Sequence, residues 1–234
     1  DNDGTPEALQ AKGFIKGKVN RWPEAQSLGT TNSAMLSNPG NWPSFVPGDD
    51  VSGNDPDSFY VKARDGKYYD IARELGLDDR RLGRGIALAD VDGDGRIDFA
   101  VANQWGDSFF FRNASPTQNQ FIGLHLFLPV GLKGACPPLV RKGSLPTSRP
   151  ARPAIGAEAT VILPDGNRLR ASVDGGTGHS GKRSPDIHFG LGRLGKDETV
   201  KVALRWLSGS GHRQSLKLNL KPGWYTVELP EQGS

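Results

Sequence analysis

The run Asp90-Val91-Asp92-Gly93-Asp94-Gly95-Arg96-Ile97-Asp98 restricts this chain more than any other feature. Its four carboxylates lie close together, and like charges at that spacing repel unless a cation or fixed donors offset them. Alternate residues of a tight loop can aim their side chains inward. Asp90, Asp92 and Asp94, at positions one, three and five, are therefore placed to ligate a hard cation. Gly95 at position six allows the sharp reversal. Arg96 is expected to offer its backbone carbonyl, and Asp98 at position nine to close the shell directly or through water. Calcium, which takes about six to eight oxygens in a flexible shell, is the cation expected. The loop is no EF-hand, because position twelve is Val101 where that motif needs a bidentate Glu. Its flanks, Ile86–Ala89 and Phe99–Ala102, read as short apolar strands and not as amphipathic helices. The competing reading is a solvated acidic turn, since Asp and Gly favour turns in any case.

Part of the pattern recurs at the start of the sequence. Asp1-Asn2-Asp3-Gly4-Thr5-Pro6-Glu7 shares D-x-D-G-x-x-acid with the later loop, matching Asp1 to Asp92, Asp3 to Asp94 and Glu7 to Asp98. Asp1, Asp3 and Glu7 are thus candidate ligands of a second calcium ion. Its first ligand would come from a missing N-terminal segment of the same polypeptide or from a partner chain. A frayed acidic terminus is the alternative. The two copies lie about ninety residues apart, longer than the roughly 20–50 residues of usual structural repeats. The excess is assigned to residues 17–57, rich in turn formers and expected to be loop with one short helix.

Gly 31, Pro 17 and 35% hydrophobic residues favour many short strands joined by turns, an all-β chain. Strands are expected at Ser58–Val61, on both sides of the carboxylate loop, and at Ser108–Arg112. Ile71–Leu75 reads as one helical turn closed by Gly76. From Gln120 the texture changes. A long apolar strand, Phe121–Val130, precedes a Pro-rich basic loop, Leu132–Pro153, that carries Lys133, Arg141, Lys142, Arg149 and Arg152. A hairpin follows around Pro164-Asp165-Gly166-Asn167. Further strands are expected at Asp186–Phe189, Thr199–Trp206, Ser215–Leu220 and Trp224–Leu229. The division read from this pattern is 1–119 and 120–234.

A net charge of +3, with basic residues scattered among 26 acids, does not fit a nucleic-acid binder, which clusters its cations. Cys136 is the lone cysteine, so no intrachain disulfide forms. Calcium sites can brace an exported fold in place of disulfides. No apolar run reaches the length of about 18 residues that a membrane helix needs.

The densest polar segment outside the loop is Asp174–His188. There His179 is a candidate general base oriented by Asp186, with Arg183 and Lys182 as cationic partners of an anionic or carbonyl group. The plainer reading is a glycine-rich turn with solvated side chains, and His188 beside Phe189 reads as a packed strand residue. Trp105 and Asp107 are candidates for stacking on and binding a sugar or planar ligand, although an aromatic is more often core. The basic loop is long enough to fold over such a ligand or to be a surface insertion.

The stretch Gly83–Asn103, with Phe111-Arg112-Asn113 beyond, resembles the FG-GAP (VCBS-type) propeller repeats. Ala154–Ala157, Gly175–Ser180, Asp186–Gly192, Arg205-Trp206 and Pro222-Gly223-Trp224 resemble the ASPIC/UnbV domain. The combination is similar to the cartilage acidic protein family, including bacterial members encoded with enediyne biosynthesis genes. The resemblance implies the C-terminal part of a calcium-binding propeller followed by a small all-β domain, often secreted or periplasmic. The function expected is a calcium-braced module outside the cytoplasm that binds a protein, glycan or small molecule. The alternative is a cytoplasmic cyclase- or hydrolase-like enzyme of natural-product biosynthesis with its site between the two domains.

Overall fold

A computed structural model describes residues 1–30, 33–131, 136–176, 181–195, 197–209 and 211–230. The chain divides into two compact units. One holds Asp1–Thr5, Ala87–Phe99 and Phe111–Ser234; the other holds Pro6–Ile86 and Ala100–Phe110.

The second of these units contains strands β1 (Ala8–Gln10), β2 (Val19–Asn20), β3 (Asp49–Asp50), β4 (Ser58–Lys62) and β5 (Tyr68–Asp70). β4 is central, antiparallel to both β1 and β5. The β4–β5 hairpin turns on Gly66, whose φ of 82° is open to glycine at no steric cost. The turn-rich stretch 17–57 carries more structure than the single short helix expected. Helix α1 (Trp22–Gly29) starts with Pro23 in its first turn, and α2 (Ser33–Leu36) and a 3-10 turn at Pro39–Asn41 follow. β2 and β3 then pair in parallel. Asp49, buried there, accepts from Arg21 Nη1 at 2.9 Å and from the Val46 N–H at 3.0 Å. Helix α3 (Ala72–Leu75) ends as its sequence predicts, with Gly76 left-handed at φ 68°.

The unit boundary falls within β6 (Leu82–Ala89), β7 (Asp98–Gln104) and β8 (Phe109–Phe111). The remaining strands belong to the first unit. They are β9 (Gln120–Pro129), β10 (Leu139–Lys142), β11 (Ala151–Pro153), β12 (Glu158–Ile162), β13 (Arg168–Ser172), β14 (Lys182–Arg183), β15 (Ile187–Gly192), β16 (Val200–Leu207), β17 (Arg213–Leu220) and β18 (Gly223–Glu228).

Two open sheets enclose its core. One runs β10-β18-β9-β11, with β15 also paired to β9; the other runs β13-β12-β16-β17. On β9, Ile122, Leu124, Leu126 and Leu128 point into the core, joined by Val161, Ile187, Val202, Leu204 and Val227 from other strands. Ile122, Leu124 and Leu126 have no solvent exposure, and burying each contributes about 2 kcal/mol. Since side chains alternate along a strand, Phe121, Gly123 and His125 of β9 lie on the opposite, outer face. The β12–β13 hairpin matches its predicted turn, with Gly166 at φ 87°.

The stretch 132–153 is not the continuous loop expected. Lys133 lies outside the described residues, but Leu139–Lys142 pairs with β18 and Ala151–Pro153 with β9. Two of its arginines are also committed. Glu228, 1% exposed, accepts from Arg141 Nη2 at 2.9 Å, Arg149 Nε at 2.8 Å, and Ser148 N and Oγ at 2.7 and 2.8 Å. Burial pushes the Glu228 carboxyl up, but those donors outweigh it and hold the group below its ordinary range. Basic residues spaced along a Pro-rich sequence do not reveal that a buried glutamate 79 to 87 positions away claims them. Among the described residues, no helix is long and apolar enough to cross a membrane.

Candidate metal centre

The loop between β6 and β7 is folded around its own carboxylates. Asp90 Oδ1 accepts the Gly93 N–H at 2.8 Å and the Asp94 N–H at 3.1 Å, and Asp90 Oδ2 accepts the Gly95 N–H at 2.8 Å. Asp92 Oδ1 takes the Asp94 N–H at 3.3 Å, and Asp94 Oδ1 takes the Arg96 N–H at 2.9 Å. Such side-chain turns let the backbone reverse without a sheet partner. The reversal needs left-handed residues at Gly93 (φ 75°) and Gly95 (φ 86°). Asp98 opens β7 and is 1% exposed, with Oδ2 accepting the Val91 N–H at 3.0 Å and Oδ1 the Asn113 N–H at 2.8 Å.

Asp90, Asp92 and Asp98 each bring one carboxylate oxygen within 4.8 Å of the others, the one such grouping among the described residues. Oxygens at that separation can share an ion that sits about 2.4 Å from each. Asp94, read from the sequence as a fourth ligand, is paired with Arg96 Nη2 and lies 3.6 Å from Arg112 Nη2. Arg96 thus enters the site through its guanidinium, whose Nε also donates to the Asn113 carbonyl at 2.9 Å. Arg112 Nε reaches Asp92 Oδ2 at 2.5 Å, and this bond holds the Asp92 carboxyl below the usual carboxylate range. Two guanidiniums therefore offset the charge that a cation would otherwise have to neutralise.

The outer face of the β15-β9-β18 sheet holds the loop in place. Trp224 Nε1 donates to Asp90 Oδ2 at 2.6 Å. The Gly95 carbonyl accepts from Asn2 Nδ2 and His188 Nε2, both at 2.9 Å. A carbonyl only accepts, so Nε2 of His188 carries its hydrogen. Rings fill the surface between these bonds. His188 stacks on Phe121 with centroids 5.3 Å apart, and His125 stacks on Trp224 at 4.5 Å and 14°. Two glycines make room. A Cβ on Gly95 would lie 1.9 Å from Phe121, and one on Gly123 would lie 2.1 Å from Trp224. Burial pushes both His125 and His188 down, while Asp186 and Asp90 pull them partly back.

The other sequence candidates are distributed as follows. Asp1 and Asp3 belong to the unit that holds the carboxylate loop and Glu7 to the other, and no grouping like that at Asp90, Asp92 and Asp98 forms from them among the described residues. Trp105 and Asp107 also belong to the second unit. Trp105 is 84% exposed with a left-handed φ of 58°, and the Asp107 carbonyl accepts from Asn103 Nδ2 at 2.9 Å. His179 lies outside the described residues. Arg183 is engaged by Asp174, through Nε at 2.6 Å and Nη2 at 2.5 Å. Lys182 is paired through its backbone in β14, parallel to Ala87 of β6. Asp186 stands 3.7 Å from Nδ1 of His125, a histidine that sequence reasoning passed over.

Trp224, Arg112 and Asn113, named from the sequence only for their resemblance, were not read there as contacts of the loop. One signal for His125 was present: the Ile122/Leu124/Leu126 alternation assigns the residue between Leu124 and Leu126 to the outer face.

Residues 147–234 match the family described as ASPIC and UnbV. The match covers β11 to β18, which supply Trp224, His188 and Asp186, and stops short of the carboxylate loop. No curated protein matches the chain.

Proposed function

We propose that this chain is a calcium-braced binding module working outside the cytoplasm. Ser58–Phe111 would contribute blade strands of an incomplete FG-GAP-type propeller, and the ASPIC/UnbV-type domain would follow it. The observation that carries the reading is the convergence of Asp90, Asp92 and Asp98, with Asp98 buried and fixed by two backbone N–H groups. A carboxylate held this way keeps its position whether or not an ion is bound, so the site is partly preorganised. Arg112 and Arg96 compete for the same acids, which weakens affinity. Calcium sites tuned by few ligand charges fall near 10⁻⁴–10⁻³ M, the range of extracellular modules, where the ion is abundant enough to fill them. A protein, glycan or small-molecule partner would then be bound by surfaces that the ion keeps in shape.

A second ion at Asp1, Asp3 and Glu7 would be completed by a ligand from a preceding segment of the polypeptide or from a partner chain. Isothermal titration with calcium, paired with thermal unfolding in calcium and in chelator, tests the reading. One ion bound at the loop and a raised melting temperature are expected, both lost in Asp92→Ala. Neither heat nor a thermal shift at millimolar calcium would refute it. Millimolar magnesium giving the same shift would refute the calcium assignment, because magnesium demands tighter octahedral geometry.

A further inference from the structure

Beyond the carboxylate loop, the outer face of the same sheet carries a row of three side chains that calcium binding does not use. Ser144 Oγ lies 2.9 Å from His125 Nε2, and His125 Nδ1 lies 3.7 Å from Asp186 Oδ2. Each comes from a different place in the fold. His125 projects outward from β9, Ser144 sits in the turn after β10, and Asp186 sits in the turn before β15. All three positions are held by contacts outside the trio. The serine turn is held by the Gly143 N–H on the Trp224 carbonyl at 2.7 Å, and by the Leu145 N–H on Thr226 Oγ1 at 2.8 Å. The imidazole is clamped flat on Trp224, and the backbone N–H of Asp186 bonds the Ser184 carbonyl at 2.8 Å. Ser144 is exposed, so an incoming acyl group can reach it.

We propose that Ser144 is the nucleophile of an acyl-transfer site, with His125 as its general base and Asp186 as the residue that positions the imidazole. The two ring nitrogens are used as such chemistry requires, one toward the hydroxyl and the other toward the carboxylate. Burial holds His125 toward its neutral form, which can accept a proton, and Asp186 and Asp90 partly offset that effect. In the first step Ser144 Oγ bonds to the acyl carbon as its proton passes to His125 Nε2. The bond to the leaving group then breaks, and the leaving group departs with that proton. Water next attacks the acyl-serine and gives a proton to His125 Nε2; the acyl–Oγ bond then breaks, His125 returns that proton to Ser144 Oγ, and the acid is released.

The substrate class follows from the local donors. The N–H groups on either side of Ser144 are already taken by the Trp224 carbonyl and Thr226 Oγ1, so they give no support to an oxyanion. The site therefore suits acyl groups with good leaving groups, aryl esters or thioesters, and not amides.

The test uses the full chain and a fluorophosphonate probe, with the adduct located by peptide mass spectrometry and turnover followed on p-nitrophenyl acetate. At serine the probe forms an O–P bond and loses fluoride, and His125 takes the proton. The expected result is a single adduct on Ser144, absent in Ser144→Ala. His125→Phe keeps a ring on Trp224 but has no base, and should label about a hundredfold more slowly. Its tryptophan fluorescence should match that of the parent, separating lost base from lost fold. Asp186→Asn removes a charge that raises the His125 pKa, so the inflection of labelling rate against pH should move lower, and Asp186→Glu should restore it. A probe adduct on another residue, or Ser144 labelled as fast in His125→Phe as in the parent, would overturn the assignment. An unmoved pH profile in Asp186→Asn would overturn the role given to Asp186.

Discussion

The two acidic segments, Asp1–Glu7 and Asp92–Asp98, share more than letters. Asn2 and Gly4 have φ of 63° and 89°, and their counterparts Gly93 and Gly95 have 75° and 86°. Asp1 Oδ1 accepts the Asp3 N–H at 2.9 Å and Asp3 Oδ1 the Thr5 N–H at 2.6 Å, repeating the two turns built on Asp92 and Asp94. The local backbone is the same, yet only the later segment gathers carboxylates. The closing acids differ. Asp90 folds three N–H groups around one side chain, and Asp98 is buried against two more, from Val91 and Asn113. Glu7, by contrast, is exposed. The D-x-D-G core sets the curl, and the burial of the closing acid separates the two segments.

The largest expected effect comes from the closing acid. Asp98→Ala should cost about 3 kcal/mol, because two backbone N–H groups lose their acceptor in a buried setting. Glu7→Ala should stay within about 0.5 kcal/mol, as exposed substitutions usually do. Urea unfolding of both variants measures the contrast, and equal losses would mean that the ends are not what separates the segments. Next come the matched glycines. Gly95→Ala strains a left-handed residue and drives a Cβ into Phe121, for about 2–3 kcal/mol. Gly4→Ala meets only the Gly190 carbonyl, at a tight 3.3 Å, so the cost is backbone strain and a small shift of that carbonyl, about 1 kcal/mol.

That asymmetry marks where the sequence was legible. The grouping of the Asp90, Asp92 and Asp98 carboxylates was legible in the nine-residue spacing because it is local, set by turn chemistry within the loop. The strands of the β-sandwich were legible for a similar reason, since alternation and turn residues are local signals. Three things were not. Asp94 pairs with arginines, and one of them, Arg112, comes from beyond β8. The basic stretch 132–153 is claimed by Glu228 across the sheet. The loop is bonded to Trp224, 134 positions away. Each depends on a long-range pairing that no spacing rule encodes.

The bond to Trp224 gives the third comparison. Trp224→Phe keeps a ring against His125 but removes the donor to Asp90, and should cost about 1 kcal/mol. Asp90 retains its three backbone donors, so the loop should stay curled and calcium affinity fall only several-fold. A loss as large as that of Asp98→Ala would show that the sheet face, not the loop's own turns, holds the carboxylates together.

The smallest effect is the most discriminating, because its sign should change with conditions. Arg112 bonds Asp92 and stands near Asp94, with more than half of its side chain exposed. Exposed pairs of this kind contribute little, so Arg112→Gln should be only slightly destabilising in chelator. With calcium present the balance reverses. A guanidinium beside a divalent ion repels it, and the ion must also displace that guanidinium from Asp92. Its removal should tighten calcium binding about threefold to tenfold at low salt, with the gain shrinking as salt screens the repulsion. Melting curves of parent and variant, each in chelator and in calcium, should therefore cross in order. If the variant is less stable by the same margin in both, Arg112 is only a surface pair, and the three converging carboxylates lose their argument for a weak, extracellular-grade site.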